Sequence, residues 1–331
     1  MKPRGTLLLS RRDVAAMLRL DECIVAVEQA FMSHAEGRSL PPGVLGVRAR
    51  DGGFHIKAAG LELVRPYFAA KVNGNFFQNK QRFGLPNIQG IIVLYDAENG
   101  YPLAVMDSIE ITIIRTGAAT GVAAKYLARP DATIATVAGC GNQGRISLRA
   151  LATVRRLEKV YAFDTDHEQA ERFADELSGE LGIAVTAVRD LSTSLGQSDI
   201  CVTCTPSKQP YLNLSDIAPG AFIAAVGADN EEKQELDPRL IAASKVIVDN
   251  LDQCAAIGDL KLALKQGLMT EADVHAELGE VISGRKPGRD NREEVIVFDS
   301  TGTALQDVAA AAIVYEKAMD VDRGVVLDFA D

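Results

Sequence analysis

The sequence reads as an α/β protein in two parts: a doubly wound parallel sheet in its second half, preceded by an α+β unit with a mostly antiparallel sheet. Three observations carry this reading. From residue 133 onward, continuous apolar strand-like runs alternate with amphipathic helical ones, the pattern of a parallel sheet covered on both faces. Before residue 108, strand-like segments follow one another with Gly, Pro and Asn punctuation. The length, 331 residues, exceeds the ~250–300 at which a single core stops growing. Hydrophobic residues at 47% and charged residues at 24% are globular values and exclude a fibrous or disordered chain.

Taken in order, the N-terminal segment up to Gly37 reads as two helices. Ser10 is placed to cap the first, RRDVAAMLRL, and Asp21 the second, ECIVAVEQAFMSHAEG. In the second, Ile24, Val25, Val27, Ala30 and Phe31 share a face. Pro41-Pro42-Gly43 reads as a turn. The strand-like segments VLGVRAR, GFHIKAA, YFAAKVNG, GIIVLYD and YPLAVMD follow, broken at Gly52-Gly53, Gly84-Leu85-Pro86 and Asn99-Gly100. A helix is expected from Ile111 to Ala128, stopped by Arg129-Pro130. Then TIATVAG reads as a strand, NQGRISLRALATV as a helix, KVYAFD as a strand and HEQAERFADELSGEL as a helix. AVTAV, ICVTCT, GAFIAAVG, KVIVDN and VIVFDS are further strands. The last long helix, ALQDVAAAAIVYEKAMD, is apolar enough to return to the first unit. The expected domains are therefore residues 1–128, completed by 303–331, and residues 129–302.

Charge and cysteine usage narrow the partners. Thirty-five basic against 45 acidic residues give a net charge of -10, which offers nucleic acid or an anionic membrane no bulk attraction. No run of 18 apolar residues suggests a membrane span, and the three leucines of MKPRGTLLLSRRD are too few for a secretory segment. Five cysteines, an odd number, point to reduced thiols in a cytoplasm. Cys201 and Cys204 form a C-x-x-C, but no second pair completes a tetrahedral site, so no metal is expected.

The strongest motif is Gly139-Cys140-Gly141-Asn142-Gln143-Gly144, a G-x-G-x-x-G between an apolar strand and an amphipathic helix. The next strand ends in Asp164, 20 residues after Gly144. That is the full context of a dinucleotide-binding fingerprint and of a Rossmann-type sheet. Gly139 permits the tight turn, Gly141 lets backbone approach a pyrophosphate, and Gly144 lets helix lie close to strand. The helix N-terminus attracts phosphate. A carboxylate at Asp164 accepts from ribose hydroxyls and repels a 2′-phosphate, which favours NAD over NADP. Thr205, after one later strand, and Val226-Gly227-Ala228-Asp229, after the next, lie where ligands of open α/β sheets bind.

Several segments together resemble the ornithine cyclodeaminase/mu-crystallin family: Ala70-Lys71-Val72-Asn73-Gly74, Gly84-Leu85-Pro86, Ile114-Arg115-Thr116-Gly117-Ala118-Ala119, the fingerprint, Gly227-Ala228-Asp229 with Lys233-Gln234-Glu235-Leu236, and Phe298-Asp299-Ser300-Thr301-Gly302. They run in family order along nearly the whole chain. The resemblance implies a nicotinamide cofactor acting on an amino acid or its imine, a substrate domain built from both chain ends, and a homodimer joined through those domains. It implies that Lys71 and Arg115 hold the substrate carboxylate, that Asp229 is the acid/base, and that Thr301 touches substrate. It places Thr116, Asn142, Gln143, Asp164, Thr205, Lys233 and Ser300 on the cofactor side.

The chemistry suits those residues. Cations must fix the carboxylate, and a guanidinium offers it a bidentate fork. A base must remove the ammonium proton before hydride can leave the α-carbon, and a nicotinamide performs the redox step. Two departures from the family pattern bear on substrate. Ile56 aligns with a glutamate that cyclodeaminases place near the distal amine, which favours a small or apolar amino acid, or a cyclic imine, over ornithine. The basic residue that usually follows the Pro-rich turn is absent, with Arg48, Arg50 and Lys57 as candidate replacements. The expected function is an NAD-dependent oxidoreductase at a C–N bond, like an alanine dehydrogenase or imine reductase. The alternatives are a cyclodeaminase that recycles its NAD and a nucleotide-dependent binding protein like mu-crystallin.

Overall fold

The computed structural model describes residues 5–329. The chain forms two compact units: one runs to Arg115 and resumes at Thr303, the other spans Thr116–Gly302. The chain passes from the first to the second inside a single helix, Ile109–Leu127, whereas the sequence reading sets the boundary at residue 128. Helical periodicity continues through both halves, so nothing local marks the change.

The first unit holds strands β1 (Thr6–Leu9), β2 (Ser39–Ala49), β3 (Gly52–Glu62), β4 (Pro66–Asn75), β5 (Ile88–Asp96) and β6 (Pro102–Asp107), with a C-terminal strand, Val325–Leu327. They form one sheet in the order C-terminal strand, β1, β6, β5, β4, β3, β2. All pairings are antiparallel except β1 with β6. The C-terminal helix, Ala304–Asp320, packs on β3, β4 and the Leu20–Ala35 helix.

Three local expectations change. TLLL is a strand, β1; unbranched leucines carry little strand signal, and pairing with β6 decides the matter. Pro41-Pro42-Gly43 is not a turn but part of β2, where the pairing with β3 shifts between Leu40 and Gly43. β2 is an edge strand, which tolerates prolines that donate nothing to a ladder. Ser10 caps its helix in a capping box with Asp13, but the second helix begins at Leu20 and Asp21 lies inside it.

Register assigns side chains to faces. Val44, Lys57, Lys71 and Ile92 stand opposite one another across β2, β3, β4 and β5. The adjacent row, Leu45, Ile56, Val72 and Ile91, points the other way.

The second unit is an eight-stranded parallel sheet of β7 (Ile134–Ala138), β8 (Lys159–Phe163), β9 (Ala184–Ala187), β10 (Ile200–Thr203), β11 (Phe222–Ala225), β12 (Lys245–Val248), β13 (Ala276–Glu277) and β14 (Ile296–Asp299). Its order is β13-β12-β14-β11-β10-β7-β8-β9. Every side chain of β10, β11 and β14 is buried, as the continuous apolar runs require. From β7 the chain winds outward through β8 and β9, then returns to β10 on β7's other side, so the strand order reverses beside β7. Among the described residues, no helix is long and apolar enough to cross a membrane.

Candidate active-site clusters

In the first unit, the middle of β4 delivers Lys71 and the Ile109–Leu127 helix delivers Arg115, both buried. They converge on Asp307, in the first turn of the C-terminal helix and also buried. Lys71 Nζ lies 2.9 Å from Asp307 Oδ1 and 2.7 Å from Oδ2. Arg115 Nε donates to Oδ1 at 3.0 Å, and its Nη1 donates to Gln306 Oε1 at 2.8 Å. Lys57 is buried on β3, directly across from Lys71. Burial pushes the Lys71 ammonium down to about 7; Asp307 opposes that fall, and Arg115 and Lys57 add to it. Burial also lifts the Asp307 carboxyl, but Lys71 and Arg115 outweigh it and hold Asp307 below its ordinary range. A carboxylate with two cations already aimed at it is a frame for a second anion, because removing charges from water is repaid only by well-placed partners. Arg50 does not join this group: it is exposed in the turn after β2.

In the second unit, the fingerprint has the geometry its glycines imply. Gly139 has φ of +103°, a left-handed conformation that favours glycine. A Cβ on Gly144 would collide with the carbonyl oxygen of Gly139, whereas a Cβ on Gly141 would meet open space. Gly141 is the N-cap of the Asn142–Val154 helix and provides no side-chain cap, so first-turn N–H groups face outward for an anion. Gln143 keeps a buried Oε1 without a partner. Asp164 follows β8; its Oδ2 accepts from Cys140 N at 2.9 Å and Gln169 Nε2 at 2.8 Å, and its Oδ1 from Asp166 N at 3.1 Å. These features fit a dinucleotide: room at the pyrophosphate turn and an oriented carboxylate at the ribose position.

The later strand ends are tied down by acids. Thr205 donates from both N and Oγ1 to Glu235 Oε1, each at 2.7 Å, and Tyr211 OH donates to the same oxygen at 2.8 Å. A Cβ on Gly227 would collide with the Glu235 carboxyl group. Burial raises Glu235 to about 7, with Asp259 adding to the rise. Val226, buried at the end of β11, donates its N–H to Thr203 O at 2.9 Å. Lys233 Nζ sits 2.7 Å from Asp229 Oδ1 and donates to Gly227 O at 3.0 Å. Asp229 is half exposed. Asp249, buried after β12, accepts from Ser300 Oγ at 2.9 Å, Gly302 N at 2.7 Å and Thr301 Oγ1 at 3.4 Å. Thr116 is buried on the Ile109–Leu127 helix, next to Gly117, where a Cβ would lie 2.6 Å from the Ile146 side chain of the fingerprint helix.

Residues 4–322 match the family model of the ornithine cyclodeaminase/mu-crystallin family. The chain belongs to that family. An alanine dehydrogenase from Archaeoglobus fulgidus is 36% identical over 324 residues, spanning 98% of both chains. An archaeal alanine dehydrogenase dimer solved with bound NAD superposes with a TM-score of 0.94 at 36% identity, over 98% of this chain and 99% of that one. The Δ1-pyrroline-2-carboxylate reductase of Thermococcus litoralis, solved with NADH and L-proline, gives 0.92 at 35% identity, over 97% and 100%.

Within this ornithine cyclodeaminase/mu-crystallin family member, register corrects one inference. Ile56 lies on the sheet face opposite Lys71, so its apolar side chain is not at the cationic group and does not argue against a substrate with a distal amine. His55 and Asn73, paired two rows along, share the Lys71 face. Sequence reasoning missed Gln306, Asp307, Asp249 and the role of Glu235. The signal for Asp307 was a charged residue in an alanine-rich apolar helix, the same kind of mismatch that marks Arg115.

Proposed function

We propose that this protein is an NAD-dependent oxidoreductase acting at the C–N bond of an amino acid or its imine, in the manner of alanine dehydrogenases and cyclic-imine reductases. The observation that carries the proposal is the buried Lys71–Arg115 pair in a chain that also bears a complete dinucleotide fingerprint ending on Asp164. Asn142, Gln143, Gly144 and the helix N-terminus hold the pyrophosphate of NAD, with Asp164 on the ribose. Thr116, Thr205, Val226, Lys233 and Ser300 belong to the cofactor side. When bound, NAD supplies the hydride acceptor. Lys71 and Arg115 fix the α-carboxylate, with Lys57 beside them and Thr301 as a further substrate contact. Asp229 takes the ammonium proton so that the nitrogen lone pair is available, releases that proton to solvent, and as a carboxylate again takes a proton from the water that attacks the iminium carbon; reduction runs these transfers backward. Lys233, paired with Asp229, keeps that carboxylate in place. The free thiols suit the reducing cytoplasm.

We also infer a homodimer. Leu45, Val47, Phe54 and Ile91 are all exposed on the sheet face turned away from the C-terminal helix, and such a patch marks a protein interface. The similar archaeal dimer supports this reading.

Asp229→Asn tests the chemistry. Turnover should fall by about 10²–10⁴ while NAD affinity, read by titration, stays within twofold; an unchanged rate removes Asp229 as acid/base. Absorbance at 340 nm separates the reaction types. A dehydrogenase accumulates NADH from NAD and amino acid, whereas a cyclodeaminase releases ammonia with no net change.

A further inference from the structure

The Lys71–Arg115 group contains a carboxylate that the proposed reaction does not consume. Asp307 is fully buried, and its two oxygens are shared between the Lys71 ammonium and the Arg115 guanidinium. It reaches them from the first turn of the C-terminal helix, beside Gln306, which takes a second Arg115 N–H. An ion pair so deeply buried is weak evidence for stability, since apolar replacements often do as well. What it does provide is aim. One carboxylate fixes Nε of the guanidinium and the ammonium together.

We infer that Asp307 is the positioning residue of the substrate clamp: it orients Lys71 and Arg115 as a unit toward the α-carboxylate. The inference rests on the oxidoreductase reading and names the device that makes its clamp work. Lys57 comes from β3, Arg115 from the Ile109–Leu127 helix together with the Thr112 hydroxyl, and Asp307 from the C-terminal helix. β5 presents apolar Ile92. From the Leu20–Ala35 helix, the buried Cys23 thiol senses both Arg115 and Asp307. Asp307 is the negative charge that opposes burial and the two neighbouring cations, and with it in place Lys71 stands at about 7. Removing that charge lowers the pH at which Lys71 loses its proton.

The test is the pH profile of kcat/KM for the carboxylate substrate at saturating NAD. Asp307→Asn should raise KM at least tenfold, leave the Kd of NAD within twofold, and move the alkaline limb to lower pH by about one unit; Asp307→Glu should move the limb back. A limb that stays put while activity falls equally at every pH means a purely structural role and overturns the inference. Lys71→Arg guards against a misfolded Asp307 variant. An arginine does not deprotonate, so the limb should vanish, and its persistence also overturns the inference. If the wild type turns over no amino acid or imine, the oxidoreductase reading fails on its own. The clamp is then judged by binding: propionate should raise the melting temperature of the wild type and not of Asp307→Asn, and equal shifts reject it.

Discussion

A buried cation needs a counter-charge, and two buried cations of the first unit, Lys71 and Arg115, share one in Asp307. Their roles were legible through the family resemblance, and that of Arg115 also through its apolar surroundings in ITIIRTGAAT. Their shared partner does not follow from the same lines, since Asp307 lies 192 residues beyond Arg115 and no local pattern links them. Glu235 is the parallel case in the second unit. Three donors meet on its Oε1, while its Oε2 is buried without a partner. Burial, and the neighbouring Asp259, raise its carboxyl from an ordinary 4.5 to about 7. A raised carboxyl means the folded state binds an extra proton between those two values. The associated stability is therefore complete below pH 4.5 and lost as pH rises through 7. Glu235→Gln keeps an acceptor oxygen and carries no charge. It should melt above the wild type at pH 8, by on the order of 1–3 kcal/mol in stability, with the advantage shrinking toward pH 5. Thermal melts at the two pH values decide; an advantage independent of pH would show that ionisation of Glu235 is not the cause.

At the scale of elements, the parallel sheet was readable almost strand for strand, because short apolar runs bounded by capped helices leave few alternatives. The Asn142–Val154 and His167–Leu181 helices coincide with the segments read as helical, both starting where a loop residue or cap ends the strand. The antiparallel sheet was harder. β1 and the C-terminal strand are short and gain their identity only from each other and from β6. Facing in β3 also needed the register, which alone separates Lys57 from Ile56. Helix and strand pack closely at the fingerprint, where Gly144 rests against the Gly139 carbonyl. Gly144→Ala should push helix from strand, lowering NAD affinity tenfold or more and destabilising the fold by about 1–3 kcal/mol. Nucleotide titration with urea unfolding reads both, and unaltered affinity would mean the phosphate turn does not depend on that close approach.

For the whole molecule, the proposed homodimer is joined through the exposed apolar face of the first unit's sheet. Leu45→Asp with Ile91→Asp places charges among Val47, Phe54 and their neighbours, so the dimer should give way to a monomer. Light scattering on the eluted protein measures this, and an unchanged mass would move the interface elsewhere. The order of the chain has one more effect. Lys71 and Arg115 emerge from the ribosome early, but Asp307 follows Arg115 by 192 residues, roughly 10–40 s at about 5–20 residues per second. Throughout that interval the nascent first unit lacks its closing helix and must stay unfinished, while the uninterrupted segment that follows is free to fold. A stalled or truncated translation product would thus present a nucleotide-binding half beside an unassembled half, a distinctive substrate for chaperones.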